Sequence, residues 1–382
     1  MEQLEKILGA GSRTDDMVQI LDPQGFVHED PQYSEHIAAL SAEDVRAMYR
    51  DMVLTRAFDA EATALQRKGE LGLWAPCVGQ EAAQIGSAHA LAPRDFVFPS
   101  YRELGVALVR GLDLRQTLPI FRGVRHGGWD PKAHNFGLYT LVIGAHALHA
   151  VGYAMGVQRD GDVGTGDPER DRAVVAYFGD GATSQGDSNE ALVFAASNNA
   201  PVVFFVQNNH WAISVPTSTQ SRVPLVHRGG GFGIPSVRVD GNDVLASYAV
   251  TRVALERARA GGGPTFVEAV TYRMGAHTTS DDPTRYRDRA EEDLWRAKDP
   301  IARLRSHLER RRLADEAFFT AVDDDATALA ESARAYCHSL SGGPHEEMFD
   351  HVYTAPHPLV AEERAALAAY EAGFADADEE AR

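Results

Sequence analysis

Residues 173–178 (AVVAYF) and 202–206 (VVFFV) are apolar without a break, and each run is too short to be a stable helix. Such runs read as strands buried on both faces. Residues 96–98, 236–239 and 265–271 are further strand candidates between turn-forming stretches. Between the strands the apolar positions take helical spacing. Val45, Met48, Tyr49, Met52, Val53 and Phe58 follow a start signal at Ser41, and the pattern runs on to Gly69. Residues 80–90 form a second helix ended by Pro93, and residues 144–157 a third, rich in small side chains. Ser184-Gln185-Gly186-Asp187 has capping-box spacing and opens a helix through Ala191, Leu192, Phe194 and Ala195. A further helix covers 244–260 and stops at Gly261-Gly262-Gly263-Pro264.

The unit 173–206 is strand–helix–strand, whose crossover makes its two strands parallel and right-handed. The whole pattern predicts an α/β fold with a doubly wound parallel sheet and a helical C-terminal extension. Residues 1–40 lack a period and read as an extended arm. Residues 41–290 read as the α/β domain, 291–360 as a helical region with charged helices over about 290–311 and 314–340, and 361–382 as an acidic tail. Residues 214–233 carry no pattern, and 273–289 is polar and loop-like.

Composition narrows the classes of function. The formal net charge of −18 over 382 residues, with no Lys/Arg block, argues against nucleic acid or an anionic membrane as partner. No run of 18 apolar residues is present, and the acidic N-terminus lacks a secretory pattern. Cys77 and Cys337 lie far apart and read as buried thiols, which fits a reducing cytoplasm.

The chemistry gathers at two strand ends. Gly179-Asp180-Gly181 closes the first apolar run, and Asn208-Asn209 closes the second. Parallel neighbours end on one edge, where open sheets bind their ligands. One carboxylate with amide and carbonyl oxygens suits Mg²⁺, which completes its shell with water and phosphate. Gly179 and Gly181 let the backbone approach a phosphate, so the pair of ends reads as a diphosphate–Mg²⁺ cradle. No Gly-x-Gly-x-x-Gly follows a strand, which argues against a dinucleotide dehydrogenase.

Gly179-Asp180-Gly181, 26 residues, then Asn208-Asn209 resembles the thiamine-diphosphate fingerprint. From about residue 42 to 359 the chain resembles the alpha subunit of the decarboxylating component of 2-oxo acid dehydrogenase complexes, most closely the bacterial branched-chain type. The resemblance implies thiamine diphosphate and Mg²⁺ as cofactors, in the thiamine-diphosphate-binding fold. It places the metal on Asp180, Asn209 and the carbonyl of Trp211. It places Tyr101 and Arg102 at the diphosphate and the mouth of the site, and Gly179, Gly181 and Ala182 against the phosphates. Ile143 takes the position beneath the bent middle of the cofactor. His277, in the loop Arg273-Met274-Gly275-Ala276-His277-Thr278-Thr279, takes the position that reaches the diphosphate and the reacting carbonyl, with Tyr101 as its catalytic companion. Gln207 stands where some relatives carry Arg, and Thr278 where some carry a regulatory phosphoserine. Ala145 and His146 occupy positions that hold potassium in some relatives, and no such ion is expected here. His146 and His149 lack a third nearby zinc ligand and an acidic partner, and read as packing or solvent-contact residues.

The activity so implied is oxidative decarboxylation of a branched-chain 2-oxo acid, with acyl transfer to a lipoyl group. Pyruvate is the alternative substrate, with acetoin behind it, and a non-catalytic scaffold subunit is the alternative outside enzymology. In the family the activating Glu comes from a beta subunit, so an α2β2 heterotetramer and a lipoyl-bearing acyltransferase are implied partners. The loop 273–289 is expected to be mobile without the cofactor and ordered with it, through contacts of Arg273 and His277 with the anionic cofactor and its surroundings.

Overall fold

The computed structural model describes residues 13–124, 128–343 and 345–374. Six parallel strands form one sheet: β1 (Arg13–Val18), β2 (Phe96–Phe98), β3 (Val174–Gly179), β4 (Val202–Asn208), β5 (Ser236–Asp240) and β6 (Thr265–Val270). Their order across the sheet is β1-β5-β6-β4-β3-β2. Successive residues of β3 and β4 face opposite sides, as the pleat requires. Val175, Tyr177, Val203 and Phe205 join one core, and Val174, Ala176, Phe178, Val202, Phe204 and Val206 the other. Both faces are covered, which is why these strands read as unbroken apolar runs.

Helices Ala42–Arg67, Glu81–His89 and Val244–Arg259 contribute to the first core, and Ala145–Arg159 and Gly186–Asn198 to the second. The expected start at Ser41 is present as a full capping box with Asp44. The expected box at Ser184 is not formed. Residues Asp180–Ser184 instead make a 3₁₀ turn in which Thr183 donates to the Asp180 carbonyl, and the helix starts one residue after Gln185 with no side-chain cap.

The segment expected as an extended arm takes another arrangement over its described part. β1 pairs with β5, and Ile20 and Leu21 donate their N–H groups to Asp243 at 2.7 and 2.6 Å. Buried Arg303 bonds the Leu21 carbonyl and Asp240, fastening helix Pro300–Arg310 to the same edge. Helix Glu316–Ser339 packs on Ala42–Arg67, with Tyr49 edge-on to Phe319 at 5.2 Å. Helix Pro358–Ala372 buries none of its residues. Residues 1–12 and 375–382 of the expected arm and tail lie outside the described residues. Among those described, no helix is long and apolar enough to cross a membrane.

Candidate cofactor site

The parallel pairing of β3 and β4 sets the geometry. Gly179 is in register with Gln207, so Asp180 leaves the sheet beside Asn208 and Asn209. A hairpin, Trp211–Ala212 with Val215–Pro216, then folds back over the strand ends. Together with the Tyr101–Arg102 turn, the Ile143–Gly144 bend and His277, these ends enclose a cleft of about 910 Å³, counting space open at its mouth. All ten residues singled out from the sequence line it, and it lies at the carboxyl edge of the sheet.

Asp180 is 2% exposed. Its Oδ2 accepts only from neutral groups, Gln220 Nε2 at 3.1 Å and Thr217 Oγ1 at 3.2 Å. Burial raises its pKa, and those two hydrogen bonds work against the rise. A buried carboxylate without a paired cation is costly. Beside it Asn209 accepts from Trp211 N at 3.3 Å and donates to Gln80 at 3.2 Å. The donor set expected from the sequence, one carboxylate, one amide oxygen and one carbonyl, would suit a hard divalent cation completed by phosphate and water. Among the described residues there is no cluster of three His, Cys, Asp or Glu side chains, so a soft-metal site is not offered.

The two glycines of the cradle differ. A Cβ on Gly179 would meet only a carbonyl at 3.9 Å, so its surface toward the cleft is open. A Cβ on Gly181 would lie 2.8 Å from Ala212 Cβ, so glycine here lets the hairpin close over the turn. Gly181→Ala is expected to push the hairpin away and weaken binding of a diphosphate cofactor by roughly 5- to 150-fold, since overpacking costs about 1–3 kcal/mol. Titration of the assembled enzyme checks this, and unchanged affinity would free the hairpin from the site.

His277 sits between two guanidinium groups. Arg102 Nη2 and Arg273 Nη1 each lie 3.4 Å from its Nδ1, and Arg102 also donates to its carbonyl at 2.9 Å. Burial first, then Arg102 and Arg273, push its pKa down to about 3. The imidazole is therefore neutral here. Two donors facing Nδ1 leave the ring proton on Nε2. The Tyr101 ring stands edge-on to His277 at 6.4 Å and lies 5.5 Å from the Arg102 guanidinium.

Arg273 reaches the surroundings of the cleft. Its side chain is fully buried, donating to the carbonyls of Trp211 at 2.7 Å and Ile213 at 2.8 Å and to Tyr286 at 2.9 Å. The fork clamps the hairpin that borders the cleft, and one lone pair of the Trp211 carbonyl is engaged by it. The loop also docks by backbone bonds, Met274 N to Val78 O at 3.1 Å and Thr279 N to Trp74 O at 2.9 Å. Gly79 permits this approach: its φ is +96°, and a Cβ there would stand 2.3 Å from the Tyr272 carbonyl.

Ile143 is 40% exposed at the mouth, beside the still more exposed Leu141 and Val142. Ile213 opposite is 54% exposed and holds a φ of +53°, unusual for a β-branched residue. His146, expected to be a packing or solvent-contact residue, is buried, lines the cleft and donates Nε2–H to the Tyr177 carbonyl at 2.6 Å. Sequence reasoning passed over Glu103. It is buried in the wall of the cleft, and its signal was a carboxylate directly after the Tyr-Arg pair.

The dehydrogenase E1 component family matches residues 49–339, a span that contains all ten candidate residues. The chain belongs to that family. It is 46% identical over 340 residues to the 3-methyl-2-oxobutanoate dehydrogenase subunit alpha of Mycobacterium tuberculosis, covering 89% of this chain and 86% of that one. It is 39% identical over 314 residues to the pyruvate dehydrogenase E1 component subunit alpha of Staphylococcus epidermidis, covering 81% of each. The E1 component match and the carboxyl-edge cleft fall on the same part of the chain.

Proposed function

We infer that this chain is the alpha subunit of a thiamine-diphosphate-dependent dehydrogenase that oxidatively decarboxylates branched-chain 2-oxo acids, typified by 3-methyl-2-oxobutanoate, and passes the acyl group to a lipoyl carrier. The observation that carries the reading is the meeting of Asp180, Asn209, Trp211, Tyr101 and His277 in one cleft of an E1-family chain. The higher identity to the branched-chain relative supports that substrate over pyruvate.

Asp180, Asn209 and the Trp211 carbonyl would hold Mg²⁺. Arg102 and the backbone after Gly179 would face the diphosphate, and Ile143 would support the rings. When bound, the cofactor supplies the electron sink for decarboxylation. His277, neutral with its proton on Nε2, would donate a hydrogen bond toward the reacting oxygen, and Tyr101 would shape the mouth. The exposed apolar rim of Leu141, Val142, Ile143 and Ile213 supports a beta subunit closing the cleft in a heterotetramer. A lipoyl-bearing acyltransferase would take the product. The two free buried cysteines support a reducing, cytoplasmic setting. Residues 41–290 would be the catalytic domain and 291–360 its helical support.

The test is turnover of 3-methyl-2-oxobutanoate and pyruvate by the assembled αβ enzyme with a lipoyl acceptor. The branched substrate is expected to lead in kcat/KM by roughly 10–200-fold, the range of a few methylenes in an apolar pocket. A pyruvate preference would transfer the chain to the pyruvate branch of the family.

A further inference from the structure

Glu103 forms part of the cleft wall, yet the residue is 1% exposed, and among the described residues no cationic side chain bonds its carboxylate. Its Oε1 accepts from Gln207 Nε2 at 2.7 Å. Its Oε2 contacts Ser100 Oγ at 2.7 Å and the Arg102 N–H at 3.4 Å. Gln207 is tied in turn to Gln84 at 3.1 Å, and Gln84 to the Arg102 carbonyl at 2.9 Å. The nearest guanidinium, that of Arg102, is turned to the carbonyls of Pro76 and His277. The other titratable groups facing Glu103 are Tyr139 and Tyr177, both buried and neutral. Gln207 stands in register with Gly179, so this network lies directly behind the proposed diphosphate cradle. An acid is thus built into the wall of an anion site with only neutral donors to hold it.

We propose that Glu103 takes up a proton from solvent when the diphosphate cofactor enters the cleft, which makes cofactor binding proton-coupled and weaker as pH rises. The inference rests on the cofactor reading above. The proton sits on Oε2, where the Ser100 hydroxyl can turn from donor to acceptor, while Oε1 keeps its bond from Gln207. Burial already raises the Glu103 pKa to about 7 in the free protein. Exclusion of water from the cleft raises it further, and the diphosphate opposes its ionisation to the extent that Mg²⁺ and the thiazolium leave its charge uncompensated. Above pH 7 the free site is increasingly ionised and the filled site is neutral. Affinity therefore falls with rising pH, by at most about tenfold per unit for one proton. His277 does not supply this proton uptake near neutrality, because its pKa starts near 3.

The test is calorimetric titration of the αβ assembly with thiamine diphosphate and Mg²⁺ at pH 7.5, in buffers of different ionisation enthalpy, repeated between pH 7 and 8.5. Wild type should take up most of a proton beyond that taken up by Glu103→Gln, and its Kd should rise several-fold with pH relative to the variant's. Gln207→Arg, which keeps the carboxylate but gives it a cation, should lose the same uptake. Equal proton stoichiometry in wild type and both variants would overturn the inference alone. An absence of saturable binding in wild type would overturn the cofactor reading and this inference with it.

Discussion

Asp180→Asn in the assembled enzyme is expected to abolish measurable saturation by thiamine diphosphate and Mg²⁺ at concentrations that fill wild type. Asp180 is the one carboxylate in the proposed metal shell, and removing one partner of a buried charge pair costs about 2–5 kcal/mol. That corresponds to roughly thirtyfold to several-thousandfold in Kd. The same change should have the opposite effect without ligand. In the free protein Asp180 is buried against neutral donors only, and an amide accepts from Gln220 and Thr217 without the cost of a buried charge. The free variant should therefore melt no lower than wild type. Thermal melts with and without cofactor read both effects. A variant that binds like wild type, or that is destabilised in both states, would remove Asp180 from the metal shell.

His277→Ala is the second large effect. Its imidazole contacts two guanidinium groups at 3.4 Å and buries little apolar surface, so the fold should lose under about 1 kcal/mol at neutral pH. Turnover should fall by about 10²–10⁴-fold, the usual contribution of a positioned proton-bearing group. The pH dependence of stability adds a check with a definite sign. The free-protein pKa is pushed from 6.5 to about 3. The unfolded chain therefore binds a proton that the folded chain refuses, and wild-type stability falls as pH drops from 6.5 toward 3. His277→Ala should lose less stability over that window. A variant with near-normal kcat and an unchanged acid-stability profile would make His277 a bystander.

The sheet, and the edge where Asp180 and Asn209 come together, were legible because parallel strands covered on both faces must be apolar throughout. β3 and β4 could be found by eye, and their ends followed from the crossover. β1 could not be read this way. As an edge strand it needs only backbone pairing on one side, and Arg-Thr-Asp-Asp-Met-Val shows no strand signature. The capping box at Ser184 was a correct local pattern overridden by the tight turn after Asp180, which claims the backbone first. The clamp that Arg273 makes on the hairpin and the place of Glu103 in the cleft wall went unread for a common reason. Both roles depend on which groups long-range folding brings against them. The Arg273 fork reaches the hairpin carbonyls some 60 residues earlier in the chain, and Glu103 meets Gln207 across 104 residues. Sequence spacing carries no record of such meetings.

The central claim, a diphosphate–Mg²⁺ site at the carboxyl edge of β3 and β4, is tested most directly by one titration. Wild-type αβ assembly is titrated with thiamine diphosphate plus Mg²⁺, with thiamine diphosphate plus EDTA, and with NAD. Saturable binding that requires Mg²⁺, with no heat from NAD, is the predicted result. Binding of NAD, or thiamine diphosphate binding indifferent to Mg²⁺, would contradict it.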